Sequence, residues 1–145
     1  MDENGRMDSA LKAVQMMRMA MLASIVLYVL VAEFVGAKPA TAPDKIIFYA
    51  LTFVAVTTVA ITMALRRLLI APAAAALATQ SSDMAMVNRW RGGYIASYAT
   101  SESIALFGLV LRFLGFTLSQ VAPFYLAAFI LLLALAPQRP TNELS

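Results

Sequence analysis

The chain has 145 residues, of which 61% are hydrophobic and 13% charged, and a formal net charge of +3. Soluble domains carry about 25% charged residues, so an ordinary soluble fold is excluded, and no basic patch interleaved with stacking aromatics points to nucleic acid. With neither cysteine nor histidine, the sequence also excludes disulfides, zinc and iron–sulfur sites, histidine-ligated haem, and Ser-His or Cys-His catalysis.

Residues 1–12 are polar and of mixed charge, with Asp2, Glu3, Arg6, Asp8 and Lys12. The first apolar run covers residues 13–36 and is interrupted by Gln15, Arg18 and, near its end, Glu33. A helix rising 1.5 Å per residue needs about 20 residues to cross a bilayer, and this run suffices even from Met19. Met16, Met17, Met19 and Met21 read as flexible apolar filler rather than soft metal ligands. The length of the run, with Glu33 inside it, argues against a cleaved signal peptide.

Lys38 to Asp44 form a short loop punctuated by Pro39 and Pro43. The second run, residues 46–65, is rich in threonine and β-branched side chains, whose propensity favours strand. A segment alone in lipid must satisfy its own backbone, so helix is predicted. Arg66 and Arg67 end it. Residues 66–92 form a long connector, of which 68–91 is read either as an amphipathic helix lying on the membrane or as a solvated linker. Trp90, between Arg89 and Arg91, reads as an interfacial anchor. The third run is 93–115. A short turn leads to the fourth, 121–136, with Pro123 placed in its first turn, where a missing N–H costs little. Pro137 ends it.

The prediction is an all-α polytopic membrane protein, one domain of four transmembrane helices. Lys and Arg crowd one side: Arg6, Lys12 and Arg18, then Arg66, Arg67, Arg89 and Arg91, then Arg139. Lys38 and Lys45 stand on the other. The positive-inside rule then places both termini and the connector in the cytoplasm of a bacterial inner membrane.

The first helix of each pair carries a similar stretch. Ala23-Ser-Ile-Val-Leu-Tyr-Val-Leu-Val-Ala-Glu-Phe-Val-Gly36 matches Glu102-Ser-Ile-Ala-Leu-Phe-Gly-Leu-Val-Leu-Arg-Phe-Leu-Gly115 at seven offsets. Phe48-Tyr49-x-x-x-Phe53 recurs as Phe124-Tyr125-x-x-x-Phe129. Two hairpins entering from one side are expected to be parallel repeats, related by a pseudo-two-fold axis along the membrane normal. Glu33 aligns with Arg112 at the same depth. A lone charge in lipid is costly, so a structural ion pair Glu33–Arg112 is predicted.

Glu102 aligns with Ala23 and has no counterpart. It lies about ten residues into its helix, roughly 14 Å deep, near the centre of a core about 30 Å thick. Candidate partners are Ser24, Tyr28, Thr57, Thr58 and Ser103. A carboxyl with only hydroxyl partners in apolar surroundings suits either a proton- or ion-binding site or a hydrogen-bonded packing lock. Gly92, Ala96, Ala99 and Ser103 make a stripe of small residues beside it, read as a seam within the bundle.

Ser101-Glu-Ser-Ile-Ala-Leu-Phe-Gly-Leu-Val-Leu111 resembles the carboxylate helix of the rotary ATP synthase proteolipid, the c subunit. The resemblance covers about eleven residues and implies Glu102 as a proton site. The chain departs from that family in three ways. Residues 46–65 contain no glycine, the carboxylate lies in the first rather than the second helix of its hairpin, and Arg112 has no role in that pattern. Over most of its length the chain is similar to small four-helix bacterial inner-membrane proteins, a resemblance that implies a fold and no activity. The expected function is non-enzymatic: an accessory subunit of a membrane complex, or a proton- or ion-translocating protein or small transporter using Glu102. The expected partners are the lipid bilayer and other membrane subunits or further copies. No cofactor or metal is expected.

Overall fold

A computed structural model describes residues 3–35, 43–79 and 83–137. The described residues are helical and contain no strand: α1 (Glu3–Val35), α2 (Lys45–Leu65), a π-helical turn (Arg66–Ile70), α3 (Ala71–Thr79), α4 (Met84–Phe113) and α5 (Leu118–Ala134). The π turn joins α2 and α3 into one rod, so four rods make the bundle. Met7–Val35, Lys45–Thr79 and Met84–Phe113 are long and apolar enough to cross a membrane, and α5 is apolar but shorter.

Local chemistry sets the helix ends. Asp44 Oδ1 accepts from Ile46 N at 2.8 Å. Asp83 Oδ1 accepts from Ala85 N at 2.9 Å and Met86 N at 3.3 Å. Each carboxylate thus satisfies N–H groups that a helix start leaves bare. Gly115 stops α4 with φ 100°. Phe116 N donates to Leu111 O at 3.2 Å and Gly115 N to Arg112 O at 3.0 Å, the paired bonds of a glycine-terminated helix. Gln120 Oε1 then folds back to accept from Thr117 N at 2.9 Å. That cap starts α5 at Leu118 rather than at residue 121, so Pro123 sits in the second turn and not the first.

The connector differs most from expectation. It is neither a linker nor a separate surface helix: α2 runs on through the π turn into α3, and α4 begins at Met84. Residues 80–82 lie outside the described residues. Pro72 explains the π turn. It has no N–H to give Leu68 O and would crowd that carbonyl in a regular helix. Arg89 Nη2 donates to Leu68 O instead, at 3.3 Å. The alanines of α3 favour helix, and Ala73 and Leu77 are buried. Trp90 is fully buried and meets Tyr94 edge-on at 4.9 Å. It is a core residue and not an interfacial anchor, because the first turns of α4 belong to the same core as Met7, Ala10 and Val14 of α1 and Leu77 of α3.

At the centre stands α4. Its 30 residues span about 45 Å at 1.5 Å each. It packs against α1, α2, α3 and α5, and α1 also packs on α5. By contrast α1 and α2 hardly touch. Glycines allow two close approaches to α4. A Cβ on Gly93 would meet Ile70 Cγ1 at 2.8 Å, and one on Gly108 would meet Phe124 Cβ at 3.0 Å. The small-residue stripe is not a seam: Gly92 and Ala99 are exposed and Ala96 and Ser103 half-buried, because α1, α2 and α5 occupy the other faces of α4.

Candidate functional site

Glu102 sits on α4 between Ser101 and Ser103 and is half-buried. Tyr28 Oη donates to Glu102 Oε1 at 2.7 Å. Helical side chains lean toward their own N-terminus, and the long Tyr28 side chain crosses from α1 to reach the carboxylate. The shorter candidates do not reach it. Ser24 Oγ donates to Ala20 O at 3.1 Å. Thr57 Oγ1 donates to Phe53 O at 3.0 Å and Thr58 Oγ1 to Val54 O at 2.8 Å. Ser103 Oγ donates to Thr100 O at 2.7 Å. A short hydroxyl in a helix bonds the carbonyl one turn back, and α2 lies against a different face of α4 from Glu102.

Near the other end of α4, Arg112 Nε donates to Glu33 Oε1 at 3.1 Å. Arg112 Nη1 also donates to Phe116 O at 3.3 Å. One guanidinium therefore binds α1 to α4 and holds the turn that leads into α5. Its side chain is 20% exposed and that of Glu33 40%, so the pair lies at the edge of the bundle.

Several polar contacts had no reading in the sequence. Thr62 Oγ1 and Thr100 Oγ1 lie 2.8 Å apart and join α2 to α4. Arg18 Nε donates to Leu132 O at 2.9 Å, and Tyr98 Oη to Leu135 O at 3.0 Å. Both groups serve the end of α5, where helix carbonyls lack partners and a cation is favoured. Arg18, grouped by sequence with the charges outside the membrane, is thus half-buried and interhelical. The available signal was its place inside an apolar run. Among the described residues, the buried hydroxyls Ser97 Oγ and Tyr125 Oη find no hydrogen-bond partner.

Between α2 and α5 runs a groove of about 160 Å³ lined by Thr52, Ala55, Val56, Val59, Ile104, Pro123, Phe124 and Ala127. Thr52 Oγ1 is already bonded to Phe48 O at 2.8 Å, so the groove offers hydrocarbon contact alone. Among the described residues no three acidic side chains come together to hold a metal ion.

Spans of this length and apolarity, with polar side chains bonded from helix to helix, define a helical membrane protein. No family model, curated protein or solved structure matches the chain.

Proposed function

We propose that the protein is a non-enzymatic, multi-pass protein of a bacterial inner membrane that serves as an accessory subunit of a larger membrane complex. The observation that carries this reading is the state of its two intramembrane carboxylates. Glu33 bonds Arg112 and Glu102 bonds Tyr28, each across the α1–α4 boundary. Both are engaged in holding helices together.

The distribution of Lys and Arg supports cytoplasmic termini and a cytoplasmic connector. The two helix pairs read as parallel repeats in sequence, and they differ in packing: α4 lies on α5, whereas α1 and α2 hardly meet. Residues beside a pseudo-two-fold axis meet their own counterparts. The aligned residues Glu33 and Arg112 are bonded at 3.1 Å, and the aligned rings of Phe48 and Phe124 lie 6.2 Å apart. Mild-detergent extraction of the tagged chain, followed by native mass measurement, tests the accessory reading. A discrete complex with other proteins is expected. A homo-oligomer of many copies, or a bare monomer, overturns it.

A second reading makes the protein a proton- or ion-translocating protein, proteolipid-like or a small transporter, with Glu102 as its working group. Its favouring observation is that Glu102 is half-buried and bonded to a neutral phenol rather than to a cation. This reading expects a hydrophobic carbodiimide to label Glu102 and Glu102→Gln to abolish flux in proteoliposomes. Undiminished flux in Glu102→Gln ends it.

A further inference from the structure

We infer that the arginine-bearing end of the bundle holds an anionic phospholipid, with its phosphate diester on Arg66, Arg67 and Arg89 and one acyl chain in the shallow trough of Gly92, Ala96 and Ala99. Charge is the first ground. Between Lys45 and Glu102 the chain has four arginines, Arg66, Arg67, Arg89 and Arg91, and a single acid, Asp83. All four arginines are exposed. Asp83 is engaged at the start of α4, accepting from Ala85 N and Met86 N.

Convergence is the second ground. Gly93 brings α4 against Ile70 and Leu69 of the π turn. The bond from Arg89 Nη2 to Leu68 O, at 3.3 Å, fixes that guanidinium beside the turn that carries Arg66 and Arg67. A guanidinium has five N–H donors, so Arg89 keeps others for a phosphate. Its planar fork matches phosphate oxygens better than an ammonium does.

Depth and shape are the third. The rod from Lys45 to Thr79 is one apolar span, and Arg66 and Arg67 lie in its second half, where long side chains reach toward the headgroup phosphates. Arg89, Gly92, Ala96 and Ala99 recur at helical spacing and share one face of α4. Gly92 has open space where a Cβ would stand, and Ala99 is exposed. A low, apolar track thus rises from the guanidinium into the bilayer. It selects a lipid over free phosphate, as basic pockets between spans do.

The test titrates the full chain in mild detergent with dioleoylphosphatidylglycerol or dioleoylphosphatidylcholine and counts bound lipid by native mass spectrometry. The anionic lipid should bind more tightly. Arg66→Gln, Arg67→Gln and Arg89→Gln should each weaken it about fivefold, the effect of one surface arginine on an anionic lipid. Gly92→Leu should weaken it with every charge in place. Equal binding of the two lipids overturns the proposal, as does a preference that survives the triple arginine variant. Displacement by millimolar inorganic phosphate, together with indifference to Gly92→Leu, assigns the arginines to free phosphate and overturns it too. Circular dichroism checks each fold. If the triple variant does not fold, the single variants and Gly92→Leu, all on exposed residues, decide the matter.

Discussion

The two successive helix pairs, α1 with α2 and α4 with α5, are held in different ways. In the second, α4 and α5 lie in close contact, with the Tyr125 ring 3.3 Å from where a Gly108 Cβ would stand. In the first, α1 and α2 hardly meet. Each is attached to α4 instead, α1 by Tyr28–Glu102 and Glu33–Arg112, α2 by Thr62–Thr100 and the π turn. Shape fit therefore holds one hairpin and polar bonds help hold the other. The reason is local. Gly108 removes a side chain where α5 must approach, whereas α1 and α2 lie against different faces of α4.

This contrast can be broken at its strongest point. Gly108→Leu should force α5 off α4 and cost about 3 kcal/mol, the upper range for overpacking. Unfolding in mixed micelles would measure it. A loss below about 1 kcal/mol would mean that α5 is not seated as described. Next in size is Glu33→Gln, which leaves Arg112 without its carboxylate. The pair is part-exposed, so a loss of about 1 kcal/mol is expected. Introduced cysteine pairs would report whether α1 separates from α4 while α4 and α5 stay joined, and the chain has no native cysteine to interfere. Separation of α4 from α5 in that variant would contradict the division drawn here.

The smallest effects concern single hydrogen bonds. A double-mutant cycle of Thr62→Val and Thr100→Val should give a coupling of about 0.6 kcal/mol, the average for such bonds in membranes. Tyr28→Phe should cost a similar amount, about 0.6 kcal/mol, while Glu102→Gln, which still accepts from the phenol, should cost less. If Glu102→Gln proves the more damaging of the two for stability, Tyr28 is not the partner that matters.

Much of this architecture is legible in the sequence. The apolar runs show themselves through the length that a bilayer demands, and the charge alignment of Glu33 with Arg112 points to a pair. Thr57 and Thr58 show where such reading stops. Depth alone recommends them as partners of Glu102, but depth is blind to azimuth, and α2 lies on another side of α4. Trp90 misleads for a related reason. Flanking arginines are the mark of a membrane interface, yet the Trp90 side of those turns is covered by other helices while Arg89 and Arg91 stay exposed. The π turn was open to inference from Pro72 and the carbonyl it leaves bare, whereas the helical extension beyond it depends on packing against α4.

The central position of α4 has a consequence for biogenesis. Synthesis delivers α1 and α2 to the membrane first, before the helix that both require exists. Each must endure as a lone span, and each is more apolar and less covered by protein than α4. The third long span carries Glu102 and Arg112 and is the least apolar of the three, so it is the poorest candidate for insertion by itself. It enters a bilayer where Tyr28 and Glu33 already wait as partners. The order of synthesis thus leaves Glu33 of α1 unpaired until Arg112 of α4 arrives, and it gives α4, the least apolar long span, its partners on entry.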